Sequence, residues 1–401
     1  MLWRLAMTGA LVALTGCATL LRDPVPTELA ATATVPGMPG VRAWAGQASP
    51  AMQSDLQKSF AQESRQAFPV AADGTIRYAH LALSGGGANG AFGAGFLSGW
   101  SSTGARPLFK IVTGVSTGAL IAPFAFLGTT YDSALKEFYT TSRSRDIFAQ
   151  ASMFGMISQL FFGEALADTR PLASLIAQHV DAEFLRQVAQ AHDAGRRLYI
   201  GTADLDSMQF VVWNMGLIAR SDRPEALSLF RRVMLASASI PIAFPPVFFD
   251  VEANGQHYDE MHVDGGVGAF VFFSGGLFST SAARAQAAVG PARDDIYVIH
   301  NGQLAPVASP TPRTVRAIAT RVLDTSGRTA VVGDLFRIYV AAQDEGAGYH
   351  WITIPQGFDL RGNEVFDPVL MSALYELGYR QAIAGGGWRT RPPGLEVETG
   401  P

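Results

Sequence analysis

The chain has one cysteine, so no disulfide can form within it and no Cys-based metal site can be built. Charge is also scarce. Only 16% of the 401 residues are charged, and 30 basic against 34 acidic residues leave a net charge of −4 with no run of Lys or Arg. A phosphate backbone would find nothing to neutralise it, so nucleic acid is not an expected partner. Internal repeats are missing, and no G-x-x-x-x-G-K-[ST] loop is present to hold a nucleoside triphosphate. What the chain does have is apolar content: 48% of its residues, enough to fill a large core.

The one cysteine is Cys17, which follows Met1-Leu-Trp-Arg4 and the apolar run Leu5 to Gly16. That run is too short to span a bilayer and reads as a signal peptide over residues 1–16. Leu14-Thr15-Gly16-Cys17 resembles the bacterial lipobox, which implies that Cys17 is lipidated and anchors the mature chain to a membrane of the bacterial cell envelope. An ordinary cleaved signal with an incidental cysteine is the alternative. Stable anchoring needs more than one acyl chain, which a multiply acylated Cys17 would supply.

Residues 17–75 read as a tether ending in a short amphipathic helix. Pro24, Pro26, Pro36 and Pro39 oppose regular structure, whereas Met52, Leu56 and Phe60 recur at helical spacing. Residues 76–384 read as one domain, and the Gly- and Pro-rich residues 385–401 as a flexible tail. Within the domain, short apolar runs alternate with helical segments. This predicts an α/β fold, a three-layer α/β/α sandwich with a mostly parallel central sheet. Strands are expected at Tyr78–Leu83, Lys110–Thr113, Leu198–Asp204, Phe210–Trp213, Val247–Val251, Tyr258–Val263, Ile296–Ile299 and Tyr349–Ile354, with Asn254-Gly255 as a hairpin turn. A long helical stretch between Thr314 and Ala342 and a last amphipathic helix over Pro368–Ala384 complete the pattern.

Three motifs carry chemistry. Gly114-Val-Ser116-Thr-Gly118 fits a nucleophile elbow, because a β-prone run precedes it and helix formers follow, and the glycines permit so tight a turn. Gly85-Gly86-Gly87-Ala88-Asn89-Gly90 also lies between strand and helix. A dinucleotide would need an acidic residue ~20 positions further on, and Gly104–Thr113 offers only Arg106 and Lys110. The loop therefore reads as a source of free main-chain N–H groups for an oxyanion, with Gly86 and Gly87 as preferred donors. Third, Asp264-Gly265-Gly266 follows an apolar strand, so the carboxylate sits at a strand end. A base for the serine could instead be a late histidine: His257, His262, His300 or His350, of which His262 is the best rival, two residues from Asp264.

In this order, the motifs resemble the patatin-like phospholipases. Further matches are Ala236-Ser-Ala-Ser-Ile-Pro241 leading to Phe244-Pro-Pro246, Phe366-Asp-Pro368, Leu374-Tyr375 and Gly378-Tyr379. The resemblance covers about Tyr78 to Ala384 and implies Ser116 as nucleophile, Asp264 as base and the Gly85–Gly90 loop as oxyanion site. It departs where many of these proteins carry a basic residue and this chain has Ala88 and Asn89.

A carboxylate with the ordinary pKa of about 3.9 is a feeble base toward serine, so the site must desolvate Asp264 or bond it directly to Ser116. A dry pocket walled by Leu81, Val112, Val115, Phe244 and Phe248 is expected, with no cofactor or metal required. Met153, Phe154, Met156, Ile157, Leu160, Phe161 and Phe162 form an apolar patch, either a buried helix or an interfacial lid. The expected function is hydrolysis of acyl esters of membrane lipids, with glycerophospholipid as the leading substrate. The alternatives are a Ser-His-Asp esterase, an acyltransferase, or a non-enzymatic lipid-binding envelope protein.

Overall fold

Apolar side chains leave the central strands on both faces, so the sheet must be covered twice, and it is. A computed structural model of the chain describes residues 22–150, 167–305 and 310–395. The main strands are β1 (Arg42–Trp44), β2 (Ile76–Leu83), β3 (Phe109–Val115), β4 (Arg197–Asp204), β5 (Gln209–Asn214), β6 (Val247–Ala253), β7 (Gln256–Asp264), β8 (Ala292–His300) and β9 (Gly348–Thr353). The longer helices are α1 (Pro50–Gln62), α2 (Gly90–Ser102), α3 (Thr117–Leu127), α4 (Asp132–Thr141), α5 (Arg170–His179), α6 (Ala182–Asp193), α7 (Ala226–Ser237), α8 (Val315–Asp344) and α9 (Pro368–Ile383). Each expected strand and helix of the domain is present within a few residues of its predicted ends.

The sheet runs β1-β5-β4-β3-β2-β8-β9. From β4 to β9 every pairing is parallel. Leu81, Leu83, Val112, Leu198 and Ile200 point into one core with α2, α3, α4, α5, α6, α7 and α9. Tyr78, Ala82, Ile111, Val115 and Tyr199 point into the other, with α1, the C-terminal part of α8 and residues 271–278. The fold is thus a three-layer α/β/α sandwich on a mostly parallel sheet. Successive strand side chains alternate between the layers because the pleat has a period of two.

β6 and β7 form the hairpin signalled by Asn254-Gly255, whose φ values of 50° and 74° suit a two-residue turn. Its return strand determines the site. β3 pairs with β4 as far as Val115 opposite Gly201, and β7 takes over the same edge of β4 from the other direction, ending with Asp264 opposite Thr202. Two strands therefore meet head-on, and the residues at their tips are brought together.

The tether and tail expectations need correction. From Arg22 onward the proline-bearing stretch is laid on the domain. Arg22 pairs with Asp206 and Asp259 at 2.6 and 2.5 Å, Thr34 exchanges backbone hydrogen bonds with Glu252, and β1 pairs antiparallel with β5. Val35, Met38 and Val41 are buried. Proline removes one donor at a time, and the residues between keep enough N–H and C=O groups to close an otherwise open sheet edge. In the tail, Arg389 exchanges backbone bonds with Trp351 and Trp388 packs on Phe96 and Trp100, so residues 385–395 are also docked. Cys17 and the patch from Met153 to Phe162 lie outside the described residues. Among the described residues no helix is long and apolar enough to cross a membrane.

Candidate active site

Ser116 is the single residue between β3 and α3, with φ 56° and ψ −125°. This is an uncommon conformation for a residue with a side chain, of the kind that costs roughly 1–3 kcal/mol and persists only where the surroundings over-determine it. Here they do. Gly114 is the penultimate residue of β3, and Gly118 passes so close to β2 that a Cβ there would lie 2.3 Å from the Leu83 carbonyl oxygen. The Ser116 N–H donates to Ser237 Oγ at 2.9 Å, and Ser237 in turn donates to the Gly201 carbonyl at 2.6 Å. Ser237 ends α7 and lies in the Ala236–Pro241 motif, but its role depends on a contact across 121 positions that spacing alone could not reveal.

Ser116 Oγ donates to Asp264 Oδ2 at 2.6 Å. The other carboxylate oxygen accepts from the Gly266 N–H at 2.7 Å, and the Asp264 N–H donates to the Ser239 carbonyl at 2.8 Å. Gly265 starts the short turn Gly265–Val267 that carries this N–H into place. Both side chains are buried, and among the described residues no cationic group contributes to the Asp264 environment. Burial pushes the carboxyl up to about 7, the hydrogen bonds from Ser116 and Gly266 opposing it only in part.

The glycine loop lies directly against the serine: a Cβ on Gly85 would stand 3.2 Å from that of Ser116. Its four glycines are not equivalent. Gly85 is corrected as an oxyanion donor, because its N–H is already given to the Phe270 carbonyl at 2.9 Å, and so is Gly90, whose N–H closes a turn onto Gly87. Gly86 and Gly87 have φ of 154° and 57°, and among the described residues their N–H groups meet no acceptor. A side chain at Gly86 is impossible, since its Cβ would fall 2.0 Å from the Asn301 carbonyl oxygen.

These groups line a cleft of about 550 Å³. The expected walls are wrong. Leu81, Val112 and Val115 are sealed in the two cores, Phe244 packs on Phe148, and Phe248 lies under Arg22. Ile240, Val267, Phe270, Leu304 and Leu360 supply the apolar lining instead. They come from loops and turns above the strand ends, where alternation along a strand carries no information.

No histidine is hydrogen-bonded to Ser116 or Asp264 among the described residues, which removes the geometric basis for a Ser-His-Asp site. His262 is bonded to Thr202 at 2.9 Å and Glu260 at 3.2 Å, and Glu260 is held by Arg42. His257 lies near Asp250 and His350 near Asp295. His300 does face the cleft; its Nδ1 meets Ser84 Oγ at 3.0 Å, and burial, with the Arg328 charge adding to it, lowers its pKa to about 4. Asp204, Glu260 and His262 come near enough to one another to suit a metal ion, but Ser207, Arg42 and Thr202 occupy their polar atoms.

Residues 81–275 match the sequence profile of the family described as patatin-like phospholipase. No curated protein sequence matches the chain significantly. Distantly similar solved structures include two bacterial proteins. VipD from Legionella pneumophila is 11% identical with a TM-score of 0.37, covering 79% of this chain and 69% of that one. ExoU from the type III secretion system of Pseudomonas aeruginosa, solved with SpcU, is 13% identical with a TM-score of 0.21, covering 77% of this chain and 51% of that one. The matched span, just under half of the chain, includes Ser116, Asp264 and both glycine motifs, so the part of the chain that carries the site is the part similar to the patatin-like phospholipases.

Proposed function

We propose that the chain is a serine-dependent lipid acyl hydrolase of the phospholipase A or esterase type, in which Ser116 and Asp264 do the chemistry as a dyad. The observation that carries this reading is the 2.6 Å contact between a buried hydroxyl and a buried carboxylate whose pKa stands at about 7. A base near the working pH is matched to proton transfer, whereas an ordinary carboxylate would be too weak.

Ser116 Oγ attacks the acyl carbonyl while its proton passes to Asp264 Oδ2, and the developing oxyanion is met by the N–H groups of Gly86 and Gly87. Collapse of the tetrahedral species breaks the ester bond. Asp264 gives the proton to the departing alcohol, leaving an acyl-Ser116. Water then enters, Asp264 takes its proton as it attacks the acyl carbonyl, and the proton returns to Ser116 Oγ as the fatty acid leaves. The substrate favoured by the family match is a membrane phospholipid. Anchoring through a lipidated Cys17 belongs to the same proposal and rests on the lipobox resemblance; metabolic labelling with a fatty acid, lost in Cys17→Ala, tests it.

Mass spectrometry of lipid products from the wild-type chain and Ser116→Ala tests the activity. Release of fatty acid and lysolipid by the first and not the second is expected. Equal release by both, or activity in Asp264→Asn, would overturn the dyad.

A further inference from the structure

The chain is acidic as a whole, yet residues 296–323 contain no Asp or Glu and three arginines, Arg313, Arg316 and Arg321. This basic stretch runs into α8, whose 30 residues span about 45 Å. The two ends of α8 differ. From Val331 onward it buries Val331, Leu335, Ile338 and Ala342 in the second core. Among the described residues from Val315 to Ser326, by contrast, none is buried, so about three turns lie at the surface. The helix nevertheless starts firmly at Thr314, whose side chain accepts from the Ala317 N–H.

These surface turns are not polar all round. Val315, Ile318 and Val322 are 87%, 50% and 58% exposed and follow the i, i+3, i+7 spacing of a single helical stripe. Arg321 sits beside Ile318 and Val322 at the edge of the stripe. Arg321, Asp324 and Arg328 line the cleft that holds Ser116. Ile240 and Val267, both exposed, line the same cleft, and Ile242, two residues after Ile240, is exposed with φ 71°, a strained conformation for a β-branched residue. Exposed apolar residues thus border the cleft, and the α8 segment carries Arg313, Arg316 and Arg321 against one carboxylate, Asp324.

We propose that the first three turns of α8, with Arg313 preceding them and with Ile240 and Val267 of the same cleft, form the surface by which this chain docks on an anionic phospholipid bilayer. The inference rests on the lipid-hydrolase reading and extends it to the place where substrate is met. Apolar side chains beside arginine are the combination that binds a lipid interface, the first entering the acyl boundary and the second attracting anionic headgroups. A second copy of the chain fits the same face less well. A two-fold contact through α8 would set the arginine-bearing segments of both copies against each other. Docking here also puts the cleft mouth against the surface from which an acyl chain must enter.

The test uses the full chain carrying Ser116→Ala, so that vesicles are not consumed, and measures co-sedimentation with vesicles of phosphatidylcholine alone or mixed equally with phosphatidylglycerol. Binding should favour the anionic vesicles and weaken in raised salt. Adding Ile318→Asp with Val322→Asp should lower the partition coefficient at least tenfold. Arg313→Glu should lower it roughly fivefold or more, the worth of one arginine near an anionic surface. The same rim substitutions in a chain with Ser116 intact should leave hydrolysis of a dissolved short-chain ester unchanged. Unchanged partitioning in these variants would sink the proposal. So would a change from dimer to monomer in analytical ultracentrifugation without loss of vesicle binding, which would make the stripe a subunit interface. A wild-type chain that cleaves no ester but whose partitioning still falls with these substitutions would remove the catalytic reading and leave the docking surface standing.

Discussion

The floor of the cleft and its rim are built on opposite principles. At the floor, Ser116 and Asp264 are buried, their polar groups are matched by Ser237, Gly266 and Ser239, and the backbone passes so closely that several positions exclude any side chain. At the rim, the first turns of α8 and residues 240–242 leave apolar side chains between 38% and 87% exposed. A reacting pair must be held to within a fraction of an ångström, whereas a surface that meets a fluid bilayer needs composition more than placement. Substitutions should therefore be far more costly at the floor than at the rim.

The largest effects are expected from the dyad. Ser116→Ala and Asp264→Asn should each lower kcat by about 10⁴-fold or more, and the double variant should be little worse than either, because groups acting as a unit are not additive. A product of the two losses in steady-state kinetics would show independent roles and break the contrast. Next comes Gly86→Ala, whose methyl group would collide with the Asn301 carbonyl and push the loop's N–H groups away from Ser116; it should cost kcat about 10²–10³-fold, the worth of a misplaced oxyanion donor, and lower thermal stability as well. Then comes pH. Asp264 must be ionised to take the serine proton, so kcat/KM should fall about tenfold per unit below an apparent pKa of about 7 and reach a plateau above it. A profile flat from pH 5 to pH 8 would contradict the desolvated carboxylate.

Ser237→Ala should be milder, leaving a buried N–H of Ser116 unpaired at a cost of about 1–3 kcal/mol in stability and a smaller loss of kcat than the dyad variants. Thermal unfolding and kinetics together check it, and Ser237→Thr should restore part of both. The smallest effect is at the rim: Val322→Ser should change stability by no more than about 0.5 kcal/mol in denaturant unfolding. A large loss there would mean that α8 is packed against something and would erase the distinction between the two regions.

How much was legible in the residues follows the same division. Strands and helices of the domain could be read because apolar residues at periods of two and of about 3.6 leave a trace along the chain. Ser116 and Asp264 could be read because each lies in a short pattern set by the tight turn around it. The positions that escaped depend on distant partners. Gly85 is lost as a donor because the distant Phe270 carbonyl takes its N–H, and Ser237 matters because α7 ends beside the elbow. Residues 22–49 were misread for a related reason: single backbone bonds to β5 and β6 need no periodic side-chain pattern.

The head-on meeting of β3 and β7 along one edge of β4 bears on when the molecule becomes reactive. Ser116 and its carboxylate are separated by 148 positions, and β4 has to be in place before either strand tip has a fixed address. A nascent chain that has formed everything around the serine but not yet laid down the hairpin would be chemically inert, because its hydroxyl has no partner to take the proton. Such an order of assembly is a safeguard for a cell whose own membranes are made of the kind of lipid the finished protein is proposed to cut.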